Sequence, residues 1–453
     1  MTTAPPIHSP WGVPAVIPPL GLAYVAAALE KAGFRVEIFD NYQLKKPIDY
    51  VKLEIRRLDP EIVGITCSSV TYQQCVETAK AVKEVKPSCK VVVGGWHPSY
   101  LPESMLQHPE IDYVVMGEGE NAMVELAILI TRGDGDRAVA AIPGVACRYE
   151  GKTVKNAPRI ISDLDEVPYP AWHLLPMHIY DRNIDYLSVR PVDVVNVIRG
   201  CPYDCAYCET KKLWGQKCRA FSPRRVVDEI DHLVKNYGSK GIYFIGDNFT
   251  IHKKHTVETC NLMEKRKVDI EWVCDTRVDL ISRDLLRKMK SVGCKSIFFG
   301  IQSGSPRILR KLNINFTLEQ VVQTFKLVRE EGINIACSFM LGIPGETVDD
   351  MEATFRFAKD LDPDWCHFYV FIACPTSGLY EEVLQKGLYD RMEGFLAYTK
   401  TEDFNYEMVL EIQKRFQRGF NLSRKRILRR IRREGFLGVL RKSFEYGLSS
   451  LTS

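Results

Sequence analysis

Three cysteines, Cys201, Cys205 and Cys208, lie within "VIRGCPYDCAYCET", a stretch punctuated by Gly200 and Pro202. Thiols so close in one turn can face a common centre, the habit of metal and cluster ligands. A tetrahedral zinc would need a fourth ligand, and the nearest thiol, Cys218, is ten residues past Cys208. A fourth ligand from elsewhere in the fold keeps structural zinc as one alternative. Iron–sulfur ligation fits the trio better, because a cubane has four iron corners and three thiolates leave one iron open to an exogenous ligand. The chemistry this predicts is a cluster that engages a cofactor or substrate directly. An iron–sulfur electron-transfer module is the non-enzyme alternative, although such carriers saturate the cluster with four cysteines.

The same spacing, with the aromatic Tyr207 before the last cysteine and six βα units following, resembles the radical S-adenosylmethionine (SAM) superfamily. Segments in matching order resemble that family's strand ends: "FIGDNF" (244–249), "CDTRVDL" (274–280), "FGIQSGS" (299–305) and "FMLGIPGET" (339–347). The resemblance implies a [4Fe-4S] cluster on Cys201, Cys205 and Cys208. It also implies SAM contacts from Tyr207, Gly246, Asp247, Asn248, Arg277, Gln302, Ser303, Met340 and Gly342. Some letters depart from the family: Asp247 and Asn248 stand where it has a Gly-Gly-Glu-like end, and Gln302 replaces an acid while still able to bond a ribose hydroxyl. The implied reaction begins when SAM chelates the open iron. An electron from a flavodoxin- or ferredoxin-type donor then splits its S–C5′ bond, and the 5′-deoxyadenosyl radical takes hydrogen from an unactivated carbon. The cofactors carry that chemistry, and the protein orients them and excludes water.

Upstream, "PPLGLAYVAAALEKAGFRVEIFD" (18–40), "GGWHPSYLPE" (94–103) and "VVMGEGE" (114–120) resemble the cobalamin-binding class of radical SAM enzymes, the class B methyltransferases. This implies cobalamin beside Ser68, Ser69, Thr71, Gly94, Gly95, His97, Gly117 and Glu118, and methylation of a small-molecule or lipid-like substrate. The alternative it leaves is a cyclase, oxidase or carbon–carbon coupling enzyme with a non-methylating cobalamin domain. The Asp-x-His-x-x-Gly motif that sets an imidazole under cobalt is absent, and none of His8, His97 or His108 stands in one. His97 reads as a loop histidine bonded to backbone. A methylthiotransferase is weaker, since Cys67, Cys75 and Cys89 lack that group's first-domain ligand pattern. Cys337, Cys366 and Cys374 read as buried core thiols.

Positioning these residues requires two βα series. Apolar runs at 34–40, 61–67, 90–95 and 111–117 alternate with helical patterns at about 20–32, 71–86 and 120–131, predicting a parallel sheet covered on both faces. Ligands in such a sheet lie outside the carboxyl ends of the strands, where the small residues of "CSSVTYQ", "GGWHPSY" and "GEGEN" gather. A Pro-rich, acidic linker follows, and then strands at about 193–198, 241–245, 269–274, 295–300, 333–340 and 365–371. Six units fall short of the eight that close a barrel. The predicted fold is α/β: a Rossmann-like cobalamin-binding domain (1–150), a linker (151–190), a partial (β/α)6 radical SAM TIM barrel (191–390) and a helical basic extension (391–453).

At 453 residues, 45% hydrophobic and 26% charged, the chain has the balance of a globular protein of two or three domains. Fourteen cysteines scattered through apolar segments argue against a disulfide framework. The start shows no basic segment leading into an apolar run, and no stretch reaches the roughly 20 apolar residues of a membrane span, so a cytoplasmic location is expected. The net charge of +4 hides an asymmetry: residues 413–443 hold twelve Lys/Arg and one acid, Glu434, leaving the body acidic. Within 422–447, Ile427, Leu428, Ile431, Leu437, Leu440 and Phe444 recur at helical spacing among the basic residues. That pattern suits a solvated helix on the barrel or a peripheral membrane-surface helix presenting a lipid-like substrate. Nucleic acid is not expected, because no aromatic-interleaved RNA module accompanies the charge.

Overall fold

The computed structural model describes residues 2–3, 18–375, 377–422 and 426. The first sheet runs in the order Thr2–Thr3 (β1), Ile62–Thr66 (β2), Lys90–Gly94 (β3), Tyr113–Val115 (β4), Val145–Tyr149 (β5) and Lys152–Lys155 (β6). β1 to β4 are parallel. Alternation sends Val91, Val93 and Val114 against helices Ile48–Leu58 and Tyr72–Val85, and Val92, Tyr113 and Val115 against Leu20–Lys31 and Gly119–Arg132. Both faces are covered, as near-continuous apolar strands require.

Two elements differ from the sequence expectation. Residues 34–40 run extended outside the ladder, apart from a bridge at Phe39. An apolar cavity of about 350 Å³ is lined by both this segment and β2. The sheet also ends in an antiparallel hairpin, β5–β6. Its turn residues Glu150 (φ 48°) and Gly151 (φ 73°) have the left-handed twist that two-residue hairpins favour.

The segment after β6 buries Leu164 and Trp172 against Tyr24 of helix Leu20–Lys31, then crosses the amino ends of the barrel strands. Arg182 there holds Asp193 through Nε at 2.8 Å, and Leu187 and Val189 pack on Gly241, where a Cβ would meet them at 3.0–3.1 Å.

The second sheet comprises Val192–Arg199 (β7), Arg219–Ala220 (β8), Gly241–Gly246 (β9), Glu271–Thr276 (β10), Cys294–Gln302 (β11), Asn334–Leu341 (β12) and Trp365–Val370 (β13). Its order is β13-β12-β11-β10-β9-β7-β8, six parallel strands with β8 antiparallel at one edge. Phe244, Trp272, Phe299, Phe339 and Phe368 point outward and are fully buried beneath the helices, while Tyr243, Asp275, Phe298, His367 and Tyr369 occupy the opposite, inner face half-buried. The free edge of β13 is closed by helix Tyr406–Asn421: Gln417 accepts from Phe368 N and donates to Cys366 O, and Gln413 donates to Phe368 O. Before that helix a third sheet forms from Ile372–Ala373 (β14), Tyr389–Glu393 (β15) and Leu396–Thr399 (β16), so the C-terminal region is not helical throughout.

The basic stretch 422–447 and His8 lie outside the described residues, save Leu422, which is exposed, and Arg426. Arg426 is buried, ion-paired to Asp362 at 2.8 Å and stacked on Phe420. Among the described residues no helix is long and apolar enough to cross a membrane.

Candidate active site at the domain junction

The cysteine turn leaves β7 through Gly200. At φ +94°, a Cβ there would lie 2.5 Å from Lys217 O, so only glycine lets the chain turn against the β7–β8 hairpin. Asp247, at the end of β9, holds the turn from below: its carboxylate accepts from Gly200 N at 2.7 Å and from Thr210 Oγ1 at 2.8 Å. Burial raises its pKa, and these two bonds pull it back. Further anchors come from the segment after β11, where Leu312 O accepts from Ala206 N and Asn313 donates to Asp204 O.

Two side chains address the sulfurs. Asn248 Nδ2 donates to Cys201 Sγ at 3.4 Å, and Arg277 Nη1 points at Cys205 Sγ from 3.9 Å. The Arg277 guanidinium is fixed by bidentate bonds to Asp279, by Asn315 at 2.9 Å and by stacking on Tyr203. Burial pushes the Cys201 thiol up to about 11 and also raises Cys205, so cluster assembly releases protons from both. Donors aimed at two of the thiol sulfurs, on the one turn that carries all three cysteines, fit a cubane bound there.

The other predicted SAM contacts divide. Tyr207 sits half-buried in the turn, and Met340 faces the barrel interior from β12. Gly246 ends β9 with its Cα against Ile198. Gln302, buried at φ +70°, folds its amide over Gly300, into the space that a Cβ would take. Ser303 turns away to Thr354 of helix Val348–Leu361 at 3.2 Å. Gly342 N donates to Glu346, and its carbonyl accepts from Thr399.

On the cobalamin side, Ser68 and Thr71 cap each other at the carboxyl end of β2. His97 is buried with both ring nitrogens engaged, Nδ1 by Ser69 Oγ at 3.0 Å and Nε2 by Ser104 Oγ at 2.9 Å. Its partners are therefore side-chain hydroxyls rather than the expected backbone, and burial lowers its pKa to about 4, keeping the ring neutral. Phe395, at the tip of the β15–β16 hairpin, packs at a tilt on His97 and edge-on against Tyr72, with ring centroids at 4.8 and 5.2 Å. Space beside Gly95 is taken by Cys67 O and Thr66, and beside Gly117 by Pro158, so these two glycines serve internal packing, while Gly94 makes only ordinary contact with β4. The strand end at Gly94 and the hydroxyls of Ser68, Ser69 and Thr71 would hold a corrinoid, while both nitrogens of His97 are engaged by Ser69 and Ser104.

Glu118 has a different role. Its carboxylate is buried and takes Arg199 Nη1 at 2.9 Å, Arg219 Nη1 at 2.8 Å and Ile161 N at 2.7 Å, while Glu120 takes Arg199 Nη2 at 2.6 Å. Tyr100 donates to Glu209 O, next to Cys208. The strand ends of the first sheet thus face the cysteine turn directly. Nothing in the sequence singled out Arg199 or Arg219, since "VIRG" and "KCRAF" read as ordinary strand ends. Cys374 donates to Glu209 at 2.9 Å beside the turn, whereas Cys337 and Cys366 are register partners buried under the outer helices.

The radical SAM superfamily model matches residues 195–358, and the B12 binding domain model matches 13–127. An uncharacterized methyltransferase of Pyrococcus horikoshii is 32% identical over 422 residues, 91% of this chain and 90% of that protein. The chain belongs to the cobalamin-binding radical SAM family. The anaerobic magnesium-protoporphyrin IX monomethyl ester cyclase of Rubrivivax gelatinosus is 31% identical over 82% of this chain and 67% of its own. In fold, the chain superimposes on the radical SAM methyltransferase TsrM from Kitasatospora setae with a TM-score of 0.71, at 20% identity over 86% of this chain and 76% of that one. The protein is a radical SAM enzyme whose cofactors are a [4Fe-4S] cluster, SAM and cobalamin.

Proposed function

We propose that this enzyme transfers a methyl group to an unactivated carbon of a small-molecule substrate. The observation that carries the reading is the junction itself: Glu118 and Glu120, at the strand ends of the B12 binding domain, are ion-paired in the interior to Arg199, two residues before Cys201. The residues that would hold the two cofactors thus lie on strand ends that face each other. When bound, the cofactors supply reductive cleavage of SAM, a 5′-deoxyadenosyl radical and a transferable methyl group.

The chain's own residues orient and enclose. Asp247 and Gly200 fix the cysteine turn, and Asn248 and Arg277 offer N–H groups to its sulfurs. The Ser69–His97–Ser104 chain rigidifies the corrinoid side, and the hairpin bearing Phe395 covers it. An external flavodoxin- or ferredoxin-type protein supplies the electrons.

The test is anaerobic reconstitution followed by reaction with CD3-labelled SAM. Expected are about four irons per chain, stoichiometric corrinoid, and label in a product only when both are present. Cleavage of SAM that is indifferent to corrinoid, with no label transferred, rejects methyl transfer. The cyclase relative favours a second reading, ring closure started by the same radical, and its signature is 5′-deoxyadenosine with an unlabelled, dehydrogenated product.

A further inference from the structure

The inner face of the barrel carries groups that neither cluster binding nor the domain junction uses. Tyr243 on β9 donates to Asp275 Oδ1 on β10 at 2.7 Å. Tyr186, rising from the segment under the barrel, bonds His367 Nε2 on β13 at 2.9 Å. Phe298 on β11 reaches His367 across β12, at 6.2 Å and 29°, because the β12 residue beside Phe298 is Ala336. Tyr369 lies parallel to His367 at 6.0 Å and 10°. On β7 the Asn196 side-chain oxygen is buried without a hydrogen-bond partner among the described residues, and Asn196 is the register partner of Ile245, which shares the Tyr243 face.

A saturated hydrocarbon would suit this surface badly. It would cover the Asp275–Tyr243 pair and leave the already buried Asn196 oxygen unpartnered, returning no hydrogen bond to either, the costly way to bury polar groups. The rings of Phe298, His367 and Tyr369 instead form a near-parallel aromatic run, with Tyr186 packed against Phe298 and His367, a surface suited to a flat or cyclic body.

We propose that this face is the substrate-recognition floor, and that the substrate is a water-soluble cyclic molecule bearing an N–H or O–H group that Asp275 and Tyr243 read. The inference rests on the radical SAM reading above and deepens it, replacing the lipid-like substrate suggested by the basic tail. Burial raises Asp275 to about 7 and keeps His367 neutral, so the floor groups named here include an acceptor of adjustable charge and, among the described residues, no fixed cation. The groups facing Asp275 are Tyr243 from β9, Tyr369 from β13 and Tyr186 from below, all of them phenols.

The test uses reconstituted holoenzyme, CD3-labelled SAM and an extract of the encoding organism, split into chloroform and methanol–water phases. Stimulation of 5′-deoxyadenosine formation by each phase reports substrate binding, while label transfer separately reports the proposed methylation. Expected is stimulation by the methanol–water phase. The amount needed for half-maximal effect should rise about tenfold or more in Asp275→Asn and Tyr243→Phe, as for a site built around one hydrogen bond. Iron and corrinoid contents matched to wild type show that both variants are folded. Stimulation by the chloroform phase alone, by neither phase, or with equal half-saturation in the variants overturns the proposal. Stimulation by the polar phase without label retires methyl transfer and leaves the recognition floor standing.

Discussion

Asn248 donates to a sulfur that a cluster iron will share, and that bond bears on redox chemistry. A donor to a ligating sulfur draws charge from the cluster and favours its reduced form. Asn248→Ala should therefore lower the reduction potential by about 20–60 mV, one hydrogen bond of about 0.5–1.5 kcal/mol expressed for a one-electron couple. A redox titration followed by electron paramagnetic resonance measures the shift, and an unchanged midpoint contradicts it. A second prediction concerns pH. Burial raises Asp275 to about 7 and Glu229 and Glu346 to about 8. Such acids bind more protons folded than unfolded, so stability falls as pH climbs from their unfolded values toward these folded ones. His97, lowered to about 4, works oppositely below its ordinary pKa of about 6.5. Between about pH 6.5 and 8 the acids dominate, and the unfolding temperature should drop. Glu346→Gln keeps an oxygen for Gly342 N and Ile343 N, and it should flatten that decline in calorimetry.

At the level of elements, the turn after β7 depends on its glycine. Gly200→Ala sets a methyl group 2.5 Å from Lys217 O at a left-handed φ, so the β7–β8 hairpin must yield or the cysteines must move. The expected result is a chain that folds but binds less than half the iron of wild type, read by iron analysis alongside circular dichroism. The buried Glu118 pairs are a different case. Glu118→Ala strips a buried carboxylate from Arg199 and Arg219, and removing one partner of a buried pair costs about 3–5 kcal/mol. Urea unfolding should show that loss, and Arg219→Leu combined with Glu118→Leu should recover part of it. Two independent losses that simply add would mean the pair is not coupled.

For the whole molecule, the sequence spoke where a period or a spacing repeats. Six barrel strands were legible because each alternates or runs apolar over five or more residues between Gly and Pro signals, and the cysteine trio declared itself by spacing alone. The strand expected at 34–40 has the right composition but lines a cavity together with its neighbour, a matter of packing that no local pattern encodes. Glu118 was placed at the right strand end and given the wrong company, since its partners sit 81 and 101 residues along the chain. The inner face went unread for a related reason: Tyr243, Asp275 and His367 stand on three strands and become a group only when the sheet curls.

The shared charges at the junction also bear on how such enzymes can be recombined. Glu118 and Glu120 come from one half of the chain, Arg199 and Arg219 from the other, and all four are sealed from water. A hybrid that grafts a foreign corrinoid half onto this barrel inherits two stranded guanidinium groups unless the graft brings matching acids. The unit that can be exchanged between relatives is therefore larger than either half, and its seam must be cut outside this quartet.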